Sequence, residues 1–246
     1  MSFKEQSLIY LPETDSTNRY LQNLLKSEDL TNETLVWTDF QTAGRGQLGN
    51  SWESEAGKNL MFSLLFYPKR LPANRPFVIA ELAALCVKHV LDKFVPDITV
   101  KWPNDVYWHD RKIGGVLIEN SLSEGLISRS VIGIGLNINQ EQFCSNAPNP
   151  VSLKQITGTT YDRMNILEQL RLSFHALREQ FEAEGMEGIH REYLQALYRR
   201  EGFYLFSDAN GTFEACIRHV ELSGHLVLER PDKTLSRYAF KEVNYL

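Results

Sequence analysis

Hydrophobic and polar positions along the 246-residue chain follow two spacings. Short apolar runs of strand length fall at residues 8–11, 35–38, 60–67, 98–102, 116–119 and 131–134. Longer segments of helical spacing lie between them, a pattern that predicts an α/β layer fold. Ser16 or Thr17 can cap a helix whose apolar stripe is Tyr20, Leu21, Leu24 and Leu25. Pro76, at a first helical position, opens a strongly apolar helix that reaches Phe94 and is closed by Pro96. Further on, Ile166, Leu170, Phe174, Leu177 and Phe181, then Tyr193, Leu194 and Leu197, predict two helices within 164–200, broken at Gly185 and Gly188. After Arg200 the period shortens. Strands are expected at 203–206, 213–220, 226–228 and 238–243, parted by turn signals at Asn210-Gly211, Ser223-Gly224 and Pro231-Asp232. The change marks a boundary between an α/β unit over 1–199 and a small β-barrel over 200–246. A barrel of that size is marginal alone, so it is expected to dock on the first unit.

Composition narrows the function classes. With 43% hydrophobic and 23% charged residues the chain is of ordinary globular type. A net charge of -5, with no strong basic patch in the sequence and Arg199-Arg200 isolated, argues against a nucleic-acid partner. The longest apolar stretch, 77–87, is interrupted by Glu81 and too short to span a bilayer, and the first residues lack the apolar core of a secretion signal, so no membrane role is expected. Cys86, Cys144 and Cys216 are odd in number and widely separated, which suits a reducing compartment and makes cytoplasm the default. The histidines show no metal-ligand spacing, so no protein-ligated metal is expected. There is no G-x-x-x-x-G-K-[ST] loop, so a nucleotide would bind without a Walker cradle.

Three segments carry candidate chemistry. The first runs Gln41-Thr42-Ala43-Gly44-Arg45-Gly46-Gln47-Leu48-Gly49-Asn50-Ser51-Trp52, directly after a predicted strand. Gly44, Gly46 and Gly49 spell a formal G-x-G-x-x-G, yet the loop continues to a further breaker at Gly57 instead of opening a helix. About 20 residues on stands Lys69-Arg70 where a dinucleotide fold needs an acid. No H-R-D or D-F-G triplet follows, which removes the kinase reading as well. What remains is a flexible anion-binding loop, with backbone N–H groups free to approach an oxyanion and the Arg45 fork beside them. The second is Lys101-Trp102-Pro103-Asn104-Asp105, followed by Arg111-Lys112-Ile113-Gly114-Gly115. A strand ends at a proline turn presenting Asn104 and Asp105, and the return strand carries Lys112 next to two glycines, where a ligand or another backbone can come close. The third, Gly133-Ile134-Gly135-Leu136-Asn137-Ile138-Asn139, leaves a strand through glycines and presents amides able to read a base edge. Taken singly, each segment leaves an ordinary solvated loop or turn open.

In this order and spacing, Asp15-Ser16-Thr17-Asn18 together with those three segments resembles the biotin–protein ligase family over nearly the whole chain. The resemblance implies a catalytic domain related to class II aminoacyl-tRNA synthetases, with the tail as an SH3-like C-terminal β-barrel. It implies a ligase that uses ATP with Mg²⁺ to form biotinyl-5′-AMP, then transfers biotin to a lysine of a biotin carboxyl carrier protein or domain of a carboxylase. Many bacterial members also carry an N-terminal winged helix that binds DNA. The likeness here starts at the catalytic domain, so a repressor role is not expected. Ser16, Thr17, Asn18 and Gln41 look like ligands of the biotin ureido ring. Arg45, Gly46 and Lys112, with Gly44, Gln47 and Gly115 beside them, look like the contacts of the biotin carboxylate and the adenylate phosphate. Trp52, Asn104 and Asn137 are similar to residues on the nucleotide side.

The chemistry fits those residue types. A carboxylate must attack a phosphate, and two anions approach only when their charge is neutralised, here by Arg45, Lys112 and the Mg²⁺ of the nucleotide. Asp105 is the candidate to orient or deprotonate the acceptor lysine, with a purely structural turn residue as the alternative. One departure stands out: the commonest family string is G-R-G-R, whereas this chain has Gln47 at the second arginine. Looser retention of the adenylate is therefore expected unless another cation substitutes. The glycine loop is expected to order over bound adenylate and exclude water. A lipoate–protein ligase of the same fold and a non-catalytic biotin-binding module remain as alternatives, and a homodimer is left open.

Overall fold

The computed structural model describes residues 8–144 and 149–246. Seven strands, β1 (Leu8–Thr14), β2 (Leu35–Gln41), β3 (Leu60–Phe66), β4 (Ile98–Lys101), β5 (Asp105–Trp108), β6 (Arg111–Ser123) and β7 (Leu126–Leu136), share one sheet in the order β1-β2-β3-β7-β6-β5-β4. β1 and β2 run parallel and every other neighbouring pair runs antiparallel. The helices are α1 (Thr17–Leu24), α2 (Phe77–Leu91), α3 (Leu153–Thr157), α4 (Arg163–Glu184) and α5 (Met186–Gln195).

The central strands are apolar on both faces because both faces are covered. Side chains alternate across a strand. Leu35, Leu64, Phe66 and Ile132 join the large core under α2, α4 and α5. Their odd-even neighbours Val36, Leu65 and Val131 form a smaller cluster with Leu21 of α1. α2 lies between the sheet and the α4–α5 layer, which is why it is apolar nearly all round. Pro76 sits at its N-cap position instead of the first helical residue, and the helix ends at Leu91, short of Phe94. Gly185, at φ +83°, separates α4 from α5, but Gly188 lies inside α5 and breaks nothing. The short α3 was not anticipated from apolar spacing, although its capping box, Ser152 with Gln155, is visible in the residues.

In the tail, β8 (Tyr204–Asp208), β9 (Gly211–Val220), β10 (Leu226–Glu229), β11 (Leu235–Tyr238) and β12 (Asn244–Tyr245) form a separate antiparallel sheet ordered β11-β10-β9-β8-β12. Of the strand expected at 238–243 only Tyr238 is extended, as the end of β11; residues 239–243 turn between β11 and β12, where Glu242 N donates to Ala239 O at 3.1 Å and Lys241 takes φ +72°. The tail does dock. Trp102 Nε1 donates to Gly224 O at 2.8 Å, and the Trp102 and Phe240 rings meet edge to face at 6.2 Å. Val220, Leu226 and Leu228 join the same buried cluster as Phe77. Among the described residues no helix is long and apolar enough to cross a membrane.

Two predictions concern stability. Gly224 combines φ +92° with a position where a Cβ would lie 2.8 Å from the Phe77 ring. Gly224→Ala should therefore cost about 1–3 kcal/mol in urea unfolding; a change below 0.5 kcal/mol contradicts the docking described. Glu81 is 1% exposed, beside His190 Nδ1 at 2.6 Å, and burial pushes its carboxyl above the ordinary carboxylate range against the pull of His190. A carboxyl with a raised native pKa holds more protons folded than unfolded between the two values, so stability falls as pH climbs through the native one. Denaturation of the parent and of Glu81→Gln over roughly pH 4 to 8 should show the parent losing ground to the variant as pH rises. A difference independent of pH rules this out.

Candidate functional site

The register gathers the candidate residues on the α1 face of the sheet. Directly opposed residues in antiparallel strands share a face. Ser63 of β3 faces Gly133 of β7, Gly133 faces Leu117 of β6, Gly135 faces Gly115, and Gly115 faces Asp105 of β5. Asp105 in turn faces Lys101 of β4. Lys112 is three residues from Gly115 and by simple alternation would turn to the opposite face. The β5–β6 pairing slips at this point: Val106 opposes Gly114 while Tyr107 opposes Lys112, leaving Ile113 as an extra residue. That bulge returns Lys112 to the Asp105 face. Its Nζ lies 2.7 Å from Asp105 Oδ1.

The glycines on this face make room. A Cβ on Gly133 would meet the Asn18 carboxamide, and one on Gly135 would come within 2.7 Å of Trp52 Cζ2. A cavity of about 430 Å³ results, a volume typical of small-molecule sites. One end is polar. The Thr17 backbone N–H and hydroxyl both donate to Gln41 Oε1, at 2.8 and 3.2 Å. The Ser63 hydroxyl stands 2.7 Å from Thr17 Oγ1 and 2.5 Å from Asn18 Oδ1, and Asn18 Nδ2 donates to Glu119 Oε2 at 2.8 Å. Ser16 occupies the N-cap position of α1, yet its hydroxyl makes no cap hydrogen bond and lines the cavity instead.

The other end is cationic. Arg45 Nη2 is 3.4 Å from Glu119 Oε1 at the rim, and Lys112 pairs with Asp105 deeper in, 5.9 Å from the centre of the Trp52 ring. The glycine loop is held as a hairpin: Trp52 N donates to Gly44 O at 3.0 Å, Gly46 N to Asn50 O at 2.6 Å, and Gln47–Gly49 form a 3₁₀ turn. Trp52 Nε1 is buried without a partner among the described residues, beside the cavity its side chain lines.

Ser16, Thr17, Asn18, Gln41, Arg45, Gly46, Gln47, Trp52, Asn104, Asp105, Lys112 and Gly115 thus border one space. Gly44 stands just behind it, where a Cβ would lie 2.8 Å from Trp52 O. Asn104, mostly buried, donates to Val116 O through Nδ2 and accepts from Val116 N, pinning the turn after Pro103 onto β6. Asn137 does not border the cavity. Its Nδ2 donates to Val151 O at 3.2 Å and approaches Lys112 O at 3.5 Å, so the amide braces the backbone beneath Lys112. The sequence singled out neither Ser63 nor Glu119, and it placed Lys101 in the second segment without a role of its own. Ser63 had a signal, the one polar residue in the otherwise apolar β3. Also unforeseen, Phe240, Lys241, Val243, Asn244 and Tyr245 of the tail close one side of the cavity.

The chain as a whole is similar to known proteins. The sequence model of the biotin/lipoate A/B protein ligase family matches residues 10–137, over half of the chain. The chain belongs to that family. It is 33% identical over 183 residues to the bifunctional ligase/repressor BirA of Escherichia coli (strain K12), a match that covers 73% of this chain and 56% of BirA. It thus spans a little over half the length of that relative. It is 28% identical over 234 residues to the biotin--[acetyl-CoA-carboxylase] ligase of Paracoccus denitrificans, covering 90% and 93% of the two chains. The solved structure of the biotin protein ligase from Aquifex aeolicus in complex with biotin and ATP superposes with a TM-score of 0.80 at 25% identity, covering 98% of this chain and 100% of that one.

The seat of Trp52 on Gly135 is open to test. In Gly135→Ala the new methyl must displace the indole. Acrylamide should then quench the tryptophan fluorescence more strongly than in the parent, with the far-UV circular dichroism unchanged. Equal quenching would mean that the ring does not rest there.

Proposed function

We propose that this chain is a biotin–protein ligase: it condenses biotin with ATP to biotinyl-5′-AMP and transfers the biotinyl group to a lysine of a biotin carboxyl carrier. The observation that carries this reading is the pair of cations, Arg45 and Lys112, on the walls of one cavity whose far end is lined with amides and hydroxyls. Residues 1–199 carry both half-reactions in a fold of the class II aminoacyl-tRNA synthetase kind. Residues 200–246 are an SH3-like companion that completes the cavity wall.

Biotin lies with its ureido ring among Ser16, Thr17, Asn18 and Gln41, groups that donate and accept as a urea requires. Ser63 holds Thr17 and Asn18 from below. A lipoyl dithiolane needs apolar walls at that end, so the polar cluster favours biotin. The carboxylate then reaches the cationic cleft, where the nucleotide brings its α-phosphate and its Mg²⁺ as part of the substrate. A carboxylate oxygen attacks the α-phosphorus, the bond to the oxygen bridging to the β-phosphate breaks, and pyrophosphate leaves. Arg45 and Lys112 meet the charge that develops on the α-phosphate, and their carboxylate partners hold them in place beforehand. Trp52 and Asn104 flank the nucleotide, while Asn137 serves by steadying Lys112.

In the second step the acceptor amine attacks the acyl carbon and AMP leaves by cleavage of the carbon–oxygen bond of the anhydride. The lysine ammonium sheds two protons, one before attack and one as the amide forms. Asp105 orients that ammonium and takes the first proton once phosphate draws Lys112 away. Closure of residues 44–57 over the adenylate excludes water.

Incubation with ATP, biotin and a carrier domain, followed by intact-mass measurement, should show one added biotinyl group. An unmodified carrier refutes the reading. Lys112→Gln should slow pyrophosphate release by about 10²–10³, and a rate within threefold of the parent removes Lys112 from its role. Ser63→Ala should weaken biotin about tenfold in calorimetry, the loss of one buried hydrogen bond to the ring's ligands. Unchanged affinity would detach Ser63 from the pocket.

A further inference from the structure

Among the described residues four cations border the cavity, Arg45, Lys101, Lys112 and the exposed Lys241, and Lys101 is the one caged by tyrosine rings. Arg45 and Lys112 each rest on a carboxylate, whereas Lys101 has none within ion-pair distance among the described residues. Three tyrosine rings surround its ammonium: Tyr107 at 4.8 Å, Tyr245 at 5.0 Å and Tyr198 at 5.9 Å from their centres. The single hydrogen bond found for Nζ runs to Tyr107 Oη at 3.2 Å. Lys101 borders the same cavity as Arg45, Lys112 and Gln47, and it faces Asp105 across β4 and β5.

A half-buried ammonium without a counter-ion is costly, and a protein keeps one where an anion is to arrive. Burial lowers the Lys101 pKa, aided by Arg199 and Lys112 and opposed by Asp105. The ring faces favour the charged form, which suits an anion receptor better than a general base. An ammonium carries three donors, and one suffices for Tyr107. The glycine loop supplies one cation to the cavity, Arg45, and the neutral Gln47 borders it two residues on.

We infer that Lys101 is the receptor for the polyphosphate arm of a nucleoside triphosphate, a further cation that offsets the neutral Gln47. The inference rests on the ligase reading for the identity of the nucleotide. The cage gives the tail a part in this: Tyr245 belongs to the last strand, and its buried hydroxyl has no partner among the described residues. Docking of the tail therefore sets the charge environment of Lys101.

The test is calorimetric titration of the full chain with Mg²⁺ and α,β-methylene-ATP, and separately with AMP and with biotin. Lys101→Met should weaken the triphosphate analogue about tenfold or more, leave AMP and biotin within twofold, and keep the melting temperature. Lys101→Arg should restore most of the loss, and Tyr245→Leu should weaken the analogue in the same direction by a smaller factor. Parent-like affinity for the analogue in Lys101→Met, an equal loss for AMP, or no binding of the analogue by the parent each overturns the inference. A parent that binds the analogue through Lys101 yet forms no biotinyl-AMP would overturn the ligase reading alone. One that forms biotinyl-AMP while Lys101→Met binds the analogue normally would overturn this inference alone.

Discussion

The ion pair between Lys112 and Asp105 depends on one extra residue in β6. Strand alternation would send Lys112 under the helices. The slip that leaves Ile113 unopposed turns it back to the face occupied by Asp105 and Gly115. Asn137, through Val151 O and Lys112 O, fastens the backbone on the far side of that slip, and Val151 N donates to Lys112 O at 2.9 Å. A flexible lysine is thereby delivered to one place before any ligand arrives. Such preorganisation is what electrostatic catalysis requires, because the donors do not have to reorient as charge develops.

The same face explains the division of the cavity. Small residues at 115, 133 and 135 keep the middle of the sheet low, so that the cavity runs along it between α1 and the β4–β5 turn. Polar groups of α1 and β2 lie at one end because the helix starts there, and the cations lie at the other because β4, β6 and the glycine loop converge there. The tail contributes more than added stability. Trp102 bonds to it through Gly224, and Phe240 and Tyr245 border the cavity, so the wall of the cationic end is shared by both units.

Much of this was legible in the residues, and the limits have physical causes. The apolar runs located the sheet and α2, and the glycine-bearing strings marked the loop, the β4–β5 turn and the floor of the cavity. Ser63 and Glu119 escaped notice because their partners lie 45 and 101 residues away, at Asn18 in both cases, and only strand register brings them together. Asn137 follows a glycine turn as a base-reading amide would, but the neighbouring segment at Val151 takes up its side chain. The C-terminal strands were placed well up to Leu228. Beyond that, residues 238–243 alternate like a strand, yet Lys241 takes positive φ and 239–243 turn, with Phe240 against Trp102.

The central claim is that Arg45 and Lys112 act together on one developing charge. A double-mutant cycle on the rate of biotinyl-AMP formation, with Arg45→Met, Lys112→Met and the pair, measures this directly. Two cations serving the same phosphate should be coupled by roughly 0.5–3 kcal/mol, with the double variant losing less than the two single losses combined. Strict additivity would place them at separate tasks and contradict the account.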